Sequence, residues 1–358
     1  MEKLKAITEQ FCIEGKILEI RPLGSGLIND TYLVKTDSQK DYVLQRINNA
    51  IFQDVELLQR NIEAVTDHLR RKMAGEADLD RKVLRFIKVK GSDKSWFKAQ
   101  DDTYWRISVF IKDAVTVDIV NPKYAEFAGQ AFGHFEDMLA DIPDKLGEPI
   151  PDFHNMELRA RQLDEAVAAD KAGRLGQPVV QEILARLAPW REEMCKAERL
   201  FREGKLPKRI CHCDTKVNNM LFDKEGRVLC VIDLDTVMPS FVFSDFGDFL
   251  RTAAATAPED EPDLAKMDFN IEIFKAFAKG YVANAKFLTP IEKENLPYAV
   301  QLFPYMQAVR FFADYLNGDT YYKIKYPEHN LVRTMAQMKL FDCVTATLPE
   351  MKEYINSL

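Results

Sequence analysis

The sequence predicts an α+β fold with two lobes, a mostly β N-terminal lobe over residues 1–112 and a mostly α C-terminal lobe over residues 113–358. Three observations support this. The chain has 358 residues, more than a typical single-core domain. Its first 112 residues carry strand patterns, whereas most of the remainder has helical periodicity. Two such lobes are expected to leave a cleft, a common place for a ligand.

In the N-terminal lobe, short β-branched and aromatic runs alternate with turn residues. The predicted strands are "KILEIRPLG", "DTYLVKT", "DYVLQRI", "KVLRFIKVK", "SWFKA" and "TYWRISVFI". Between the third and fourth of these, "DVELLQRNIEAVTDHLRRKM" places apolar residues at a spacing of three to four, which predicts an amphipathic helix. The lobe is therefore predicted to be a sheet with one inserted helix.

In the C-terminal lobe, a first helix is predicted to begin near Pro122, and helical periodicity also covers residues 156–203 and most of 267–355. One strand-rich island, residues 209–233, interrupts these helices. The "IKDAV" connection before the first helix is the expected boundary between the lobes.

Composition narrows the classes of partner. A net charge of −7 and a pI near 5.5 disfavour nucleic acid. The sequence shows no signal-peptide pattern and no apolar run of roughly 18 residues, so we expect a cytoplasmic protein without a membrane partner. The six cysteines are expected to be reduced thiols. A zinc site in "CHCD" is disfavoured, because on a strand His212 faces away from Cys211 and Cys213.

The island "RICHCDTKVNNMLFDKEGRVLCVIDLD" carries the strongest chemical signal. Phosphoryl transfer needs one carboxylate to orient and deprotonate an acceptor hydroxyl, and an amide oxygen and a second carboxylate to hold magnesium on the phosphates. Asp214, Asn219 and Asp233 occur in that order, with a hairpin between the last two. A buried hairpin with polar turn residues is the structural alternative.

The spacing His212-x-Asp214-(x)4-Asn219 resembles the catalytic loop of the kinase-like phosphotransferases. The resemblance implies a protein-kinase-like fold with ATP and Mg²⁺ as cofactors. It implies that Asp214 is the catalytic base, that Asn219 is a metal ligand and that His212 is a structural brace. Lys216 stands where protein kinases carry a lysine near the transferred phosphate.

The resemblance implies that the metal-binding aspartate follows the catalytic aspartate across one hairpin. Asp233 fits that place, because it follows Asp214 by 19 residues and ends an apolar strand. Asp245 belongs to a DFG triplet but follows Asp214 by 31 residues. "VIDLD" resembles the IDxE/D element of small-molecule kinases, which implies that Asp235 contacts a second ion.

The segment "SDFGDFLR" resembles the region where these enzymes carry an aspartate before a helix. Asp248 fits it best, with an implied structural role of accepting hydrogen bonds from the catalytic-loop backbone. Ser244 or Asp245 is a candidate cap of the helix that follows.

The nucleotide site is predicted in the N-terminal lobe. In "PLGSGLINDTYLV", Gly24, Ser25 and Gly26 form a turn whose backbone N–H groups approach phosphates, although such a turn is by itself often only a hairpin. The third strand should end in a basic residue. There, either Gln45 bonds the phosphates without a charge, or a bulge turns Arg46 inward.

Whichever of Gln45 and Arg46 meets the phosphates is expected to have an acidic partner on the helix that follows, and Glu63 is preferred to Glu56 for that role.

Further stretches, among them "GSGLINDTYLV", "VIDLDTVMP" and "VRFFADYLNGDTYYKIKYPEHNLVR", resemble the N-acetylhexosamine 1-kinases of the aminoglycoside phosphotransferase/choline kinase superfamily. The implied reaction transfers the γ-phosphoryl group of ATP to the anomeric hydroxyl of GlcNAc or GalNAc. Arg310 and Tyr321 are the candidate sugar ligands. Alternatively, Arg310 braces Asp314 and Tyr321 fills the core.

Two other functions stay open. The acceptor is an amine or amino alcohol, as for aminoglycoside or choline kinases, if the acceptor pocket is acidic. The other alternative is a non-catalytic pseudokinase that only binds nucleotide. It is supported by Gln45, which stands where a basic residue is expected. A monomer is expected, because the sequence has no coiled-coil or sustained exposed apolar pattern.

Overall fold

The computed structural model describes residues 2–24, 28–117 and 120–358. These residues form two compact units. The first, named here the sheet unit, comprises Met1–Thr116, Met138–Pro151 and Met220–Met238. The second, the helical unit, comprises Val117–Asp137, Asp152–Asn219 and Pro239–Leu358. The assignment of nucleotide binding to residues 1–112 and of catalysis to residues 113–358 stays a prediction.

The structure has the α+β composition that the sequence predicts. The helices are α1 (Glu2–Thr8), α2 (Val55–Lys72), α3 (Leu79–Lys82), α4 (Pro122–Leu139), α5 (Met156–Ala169), α6 (Pro178–Leu187), α7 (Arg191–Met194), α8 (Lys196–Arg202), α9 (Phe243–Ala253), α10 (Ile271–Asn284), α11 (Pro290–Glu294), α12 (Leu296–Leu316) and α13 (His329–Ser357). Short 3-10 turns lie at Ala188–Trp190, Val217–Asn219, Leu234–Thr236 and Leu264–Lys266. In the described ranges, no helix has both the length and the apolar character needed to cross a membrane.

The sheet unit is built on a five-stranded antiparallel sheet. The strands of the chain are β1 (Ile17–Pro22), β2 (Asp30–Thr36), β3 (Tyr42–Ile47), β4 (Trp96–Lys98), β5 (Tyr104–Val109), β6 (Arg209–Cys211), β7 (Met220–Phe222), β8 (Val228–Val231) and β9 (Met238–Ser240). The sheet has the order β1-β2-β3-β5-β4. β7 and β8 form a hairpin, and β6 pairs with β9.

One predicted strand, "KVLRFIKVK", is not a strand in the structure. Its residues form only isolated bridges, Phe86 with Ser108 and Val89 with Phe11. The reason is tertiary: β4 already pairs with the first half of β5, so the segment meets only the second half, where Ile87 N donates to Ile107 O at 2.8 Å.

The two faces of the sheet differ in chemistry because side chains alternate along each strand. One face is apolar and packs with Ile7 and Phe11, and its strand residues include Tyr42, Leu44, Trp105 and Ile107. On the opposite face, Gln45 of β3 lies directly across from Arg106 of β5. Arg106 is only 2% exposed, so this second face buries a charge.

The helical unit is organised around α12, which is buried along most of its length and packs against α5, α9 and α13. The glycine of "SDFGDF" permits one of these contacts. A Cβ atom on Gly247 would lie 2.4 Å from the backbone oxygen of Ala299, closer than side-chain carbons approach an oxygen. Gly247 therefore lets α9 lie against α12, and this packing holds the segment in place.

Candidate active site

The predicted catalytic loop, His212 to Asn219, connects β6 to β7 and lies within the helical unit. Cys213, one residue before Asp214, has φ = +62°, a conformation that non-glycine residues rarely adopt. Residues held in such conformations concentrate at functional sites, because the surrounding structure must stabilise them. The loop ends in the 3-10 turn Val217–Asn219.

Within the loop, polar groups converge on Asp214. Its side chain is 23% exposed, and Lys216 Nζ lies 3.0 Å from Oδ2. Asn219 Nδ2 donates to the backbone oxygen of Asp214 at 2.7 Å and to Oδ2 at 3.1 Å. The carboxylate is thus oriented by two neighbours while part of it remains accessible, as a base acting on a bound hydroxyl must be.

His212 lies beneath this carboxylate and is fully buried. Its Nδ1 accepts the backbone N–H of Asp214 at 3.3 Å, and its ring makes edge contacts with Phe132 and Phe135 at centroid distances of 5.8 and 6.1 Å. These contacts are of the kind expected of a brace: they orient the backbone of Asp214, and the ring is closed off from solvent.

The side chain that supports the loop backbone is Asp245, and not the predicted Asp248. The two carboxylate oxygens of Asp245 accept the backbone N–H groups of His212 and Cys213, both at 2.7 Å. The backbone oxygen of Asp245 accepts from Thr215 Oγ1 at 2.8 Å. The assignment of this role to Asp248 is wrong. Spacing alone does not separate two aspartates that are three residues apart on the same helix.

Asp248 instead pairs with Arg251, whose Nη2 lies 3.1 Å from Oδ1, and Arg251 Nη1 also lies 3.3 Å from Glu259. The capping expectation is also wrong, since α9 begins at Phe243, after Val242, without a side-chain cap. Asp245 lies within the first turn of α9.

A second buried acid, Glu136 of α4, lies beside Asp245. Burial and the charge of Asp245 raise the pKa of Glu136 well above its ordinary value. Burial also raises the pKa of Asp245, but two backbone N–H donors favour its charged form. The shared proton therefore resides on Glu136, which also accepts from Tyr281 Oη at 2.6 Å.

Cys211 Sγ completes a group of three potential metal ligands with Glu136 and Asp245, all within 4.8 Å of one another. Burial raises the pKa of the Cys211 thiol well above its ordinary value, and the thiol donates to the backbone oxygen of Phe241. A neutral thiol and a neutral acid are poor ligands, so the group is a buried support of the loop.

Asp233 and Asp235 lie in the sheet unit, after β8. Asp233 has φ = +59° and precedes the 3-10 turn Leu234–Thr236. Asp235 is 3% exposed, with Oδ1 2.6 Å from Arg106 Nη2 and Oδ2 accepting from Asn29 Nδ2 at 2.7 Å. Asp235 thus has an ion-pair partner on one oxygen and a hydrogen-bond donor on the other, and its contact with a second ion stays a prediction.

Strand register shows which of Gln45 and Arg46 faces the interior of the sheet unit, and contact with the phosphates stays a prediction. β3 pairs continuously with β2 and β5, without a bulge in the paired residues. Gln45 Oε1 accepts from Arg106 Nε at 2.9 Å, whereas exposed Arg46 lies 3.4 Å from Asp30. Gln45 therefore faces the charged interior of the sheet unit, and Arg46 faces solvent.

The expected helix partner, Glu63, is half-buried and pairs with Lys88 at 2.6 Å, and Glu56 is exposed. The α2 residue that meets the strand network is Gln59, whose Oε1 accepts from Arg106 Nη1 at 3.1 Å. Neither glutamate makes the predicted contact.

In the glycine-containing turn, Gly24 has φ = +72°, and a Cβ atom there would meet nothing within 4 Å. The conformation, and not crowding, is what favours glycine at this position. Ser25 and Gly26, the other two predicted phosphate-binding residues, lie outside the described residues.

The two candidate sugar ligands, Arg310 and Tyr321, do not have the alternative roles of bracing Asp314 and filling the core. Arg310 donates to Gln307 at 3.1 Å, and its guanidinium carbon lies 5.7 Å from the ring centroids of Phe153 and Tyr322. Tyr321 is 72% exposed and so does not fill the core.

Asp314 serves a different purpose. Its carboxylate accepts the backbone N–H groups of Thr320, Tyr321 and Tyr322 at 2.8 to 3.0 Å, which fixes the turn after α12. The tyrosines are therefore presented by a rigid backbone.

Two further residues join this aromatic and basic cluster. Burial lowers the pKa of His154 to about 3, and the charges of Arg310 and Arg159 act in the same direction against that of Asp248. Burial and the charge of Arg310 lower the pKa of Arg159 to about 10. The cluster thus joins two nearby guanidinium groups to a neutral imidazole. The Asp248 carboxylate that acts on His154 is itself paired with Arg251, so the guanidinium groups of Arg159 and Arg310 give the cluster a basic character.

The residues predicted to hold a divalent cation fit such an ion in their donor atoms. The amide nitrogen of Asn219 is occupied by two hydrogen bonds to Asp214, which leaves its Oδ1 as the acceptor. Asp233 offers a carboxylate at the end of a strand hairpin. Magnesium prefers such oxygen ligands.

The family model described as "Phosphotransferase enzyme family" matches residues 19–277, a range that includes the whole predicted catalytic loop. The chain belongs to this family. It is a phosphotransferase.

Solved structures of similar fold span nearly the whole of this phosphotransferase. An aminoglycoside phosphotransferase from Alicyclobacillus acidocaldarius has a TM-score of 0.63 at 12% identity, covering 99% of this chain and 96% of its own. An amicoumacin kinase in complex with AMP-PNP, Ca²⁺ and Ami has a TM-score of 0.60 at 14% identity, covering 99% of this chain and 93% of its own. A choline kinase from Streptococcus pneumoniae has a TM-score of 0.54 at 13% identity, covering 97% and 100%. At these identities the likeness concerns the fold.

Three residues that contact the candidate site residues of this phosphotransferase were not predicted from its sequence: Arg106, Gln59 and Glu136. A signal existed for the first, since an arginine in the middle of the apolar strand "YWRISV" must find a buried partner. Gln59 adjoins Leu58 on the apolar face of α2. For Glu136 the sequence offered no signal, because the same helix also carries Glu126 and Asp137.

Proposed function

We propose that this phosphotransferase transfers the γ-phosphoryl group of ATP, with Mg²⁺, to the anomeric hydroxyl of an N-acetylhexosamine, GlcNAc or GalNAc. The observation that carries the phosphoryl-transfer part is the convergence of Lys216 and Asn219 on the accessible carboxylate of Asp214. That arrangement supplies a base, a cation and an amide oxygen within one short loop.

In the proposed reaction, Asp214 accepts the proton of the acceptor hydroxyl as the new O–P bond forms and the bond from Pγ to the bridging oxygen of ADP breaks. Lys216, 3.0 Å from Asp214, places a positive charge where negative charge develops on the transferred group. Asn219 and Asp233 are the proposed metal ligands, and the bound ion supplies charge neutralisation on the phosphates.

The choice of a sugar over an amine rests on the cluster in the helical unit that contains Arg159 and Arg310. A cationic acceptor calls for carboxylates, whereas two guanidinium groups beside a neutral His154 repel it. Guanidinium groups donate to hydroxyl and amide oxygens, and aromatic rings such as Phe153 and exposed Tyr321 suit the apolar faces of a sugar. An N-acetylhexosamine offers both kinds of group.

A panel of acceptors tests the proposal. Purified protein with ATP and MgCl₂ is offered GlcNAc, GalNAc, glucose, choline and an aminoglycoside, and ADP release is measured. Phosphorus NMR of the product distinguishes a sugar 1-phosphate from phosphorylation at another hydroxyl. We expect turnover of the N-acetylhexosamines, abolished by EDTA.

Turnover of an amine without turnover of any N-acetylhexosamine would contradict the proposed acceptor but not phosphoryl transfer. Nucleotide binding without turnover of any acceptor in a broad panel would favour the non-catalytic alternative instead. The variant Asp214→Asn provides the background rate for both comparisons.

A further inference from the structure

The side chain of Arg106 is the most deeply buried cation in the described part of the sheet unit. It projects from β5, directly across from Gln45 of β3, and is 2% exposed. The residue at this position of β3 is a neutral amide, and so is Gln59, the α2 residue that meets it. The positive charge of this network therefore comes from β5.

The three nitrogen atoms of the guanidinium group each have a partner. Nε donates to Gln45 Oε1 at 2.9 Å, and Nη1 donates to Gln59 Oε1 at 3.1 Å. Nη2 lies 2.6 Å from Asp235 Oδ1 in an ion pair whose side chains are 2% and 4% exposed. Because every nitrogen is occupied and solvent is nearly excluded, the group is suited to holding protein atoms in place.

The ion pair fixes one particular piece of chain. Asp235 lies in the 3-10 turn Leu234–Thr236, immediately after Asp233 with its φ of +59°. The second oxygen of Asp235 accepts from Asn29 Nδ2 at 2.7 Å, and Asn29 Oδ1 accepts the backbone N–H of Asn48 at 2.9 Å. The turn is therefore tied to β5, α2 and the segment after β3.

A buried ion pair is seldom retained for stability alone, since an apolar replacement of similar volume is often as stable. Its best-attested benefit is a single defined conformation. Here the restrained conformation is the left-handed backbone of Asp233, the proposed metal ligand.

We propose that Arg106 is a positioning residue that holds Asp233 in its metal-binding conformation through Asp235. This inference rests on the proposed function of Asp233. A charged pair between the third strand and the helix was expected here, and the Gln45–Arg106–Gln59 network takes its place. In this proposal the network orients the metal ligand and does not contact the phosphates.

The test uses the full-length protein and a variant designed to fold. The double variant R106Q/D235N removes both buried charges together and retains hydrogen-bonding groups at both positions. The double variant K35Q/E19Q is the matched control, because it removes an exposed ion pair of the same sheet, 3.7 Å long. Thermal unfolding verifies that each variant is folded.

Calorimetry then measures ADP binding at a series of MgCl₂ concentrations and in EDTA, without any acceptor. For R106Q/D235N we expect the Mg²⁺ concentration for half-maximal enhancement of ADP binding to rise on the order of 10- to 100-fold, the usual effect of losing a residue that orients a metal ligand. Binding in EDTA should stay unchanged, and K35Q/E19Q should match the wild type in both measurements.

An unchanged Mg²⁺ requirement in the folded R106Q/D235N variant would overturn the inference. An equal loss of ADP binding in EDTA would also overturn it, because Arg106 would then contact the nucleotide directly. If the wild type binds no ADP at any Mg²⁺ concentration, the proposed function itself fails, and that outcome is distinguished by the wild-type titration alone.

Discussion

Asp245 accepts the backbone N–H of His212 at 2.7 Å, two residues before the proposed base. The aspartate of the DFG triplet thus holds the backbone of the predicted catalytic loop by hydrogen bonds, and its carboxylate is fully buried. Asp245 is the support of the loop in the helical unit, and the proposed metal ligand Asp233 lies elsewhere in the chain.

Asp214→Asn should separate chemistry from binding. The amide cannot accept the proton of the acceptor hydroxyl, so we expect kcat to fall by roughly 10²- to 10⁴-fold, the contribution of a positioned acid–base group. The affinity for ATP should remain nearly unchanged. Steady-state kinetics and calorimetry measure the two quantities, and an unchanged kcat would remove Asp214 from the role of base.

Asp233→Asn and Asp245→Asn should have different effects. Loss of the Asp233 carboxylate should weaken Mg²⁺-dependent nucleotide binding. Asp245→Asn leaves a buried N–H group of the loop without an acceptor, which costs about 1–3 kcal/mol of unfolding free energy.

Hydrogen exchange at the amides of His212 and Cys213 should accelerate in Asp245→Asn alone. Calorimetric titration with Mg²⁺ and denaturant unfolding complete the comparison. The assignment is wrong if Asp245→Asn, rather than Asp233→Asn, raises the Mg²⁺ requirement of a folded protein.

Glu136 should make the stability of the protein depend on pH. Its pKa is raised above the ordinary value of 4.5, so the folded protein keeps a proton that the unfolded chain releases. The resulting stabilisation is complete below the unfolded pKa and is lost as pH rises towards the folded pKa. Within that window the free energy of unfolding should fall by about 1.4 kcal/mol per pH unit from this group.

Glu136→Gln removes this titration and keeps a donor towards Asp245. As pH rises, the wild type should lose unfolding free energy and Glu136→Gln should not, so the variant becomes more stable relative to the wild type. Urea denaturation from pH 5 to 8 measures this difference. Glu126→Gln is the control on the same helix, because Glu126 pairs with Lys279 at the surface. A difference that is constant with pH would show that Glu136 is ionised in the fold.

Arg310→Gln should affect the acceptor and not the nucleotide. If the guanidinium donates to the sugar, its loss should raise the KM for the N-acetylhexosamine by about 10- to 100-fold, the value of a hydrogen bond to a charged group. The KM for ATP should stay the same. Arg186→Gln, which removes an exposed pair with Asp342, is the control. Equal increases in both KM values would contradict a role in sugar binding.

Much of the fold was readable from local patterns. The strands β1, β2, β3 and β5 and the helices α2 and α4 occur where alternation and three-to-four spacing predict them. The failure at "KVLRFIKVK" has a physical cause, since a strand exists only where a partner edge is available, and β4 occupies part of that edge.

In the candidate site, too, contacts that are local in the chain were predictable and contacts between distant residues were not. The order of His212, Asp214, Lys216 and Asn219 in one short loop was enough to bring these residues together, because contacts within eight residues follow from chain connectivity. Sequence by itself thus determined which polar groups meet in the loop and the α+β class of the fold.

Tertiary structure alone decided which side chains support that chemistry. Strand register turned Gln45 inward and paired it with Arg106, and helix packing through Gly247 brought Asp245, three residues before Asp248, to the loop backbone. These outcomes depend on contacts between residues distant in the chain, where a shift of one position reverses the face of a strand and a shift of three selects a different carboxylate.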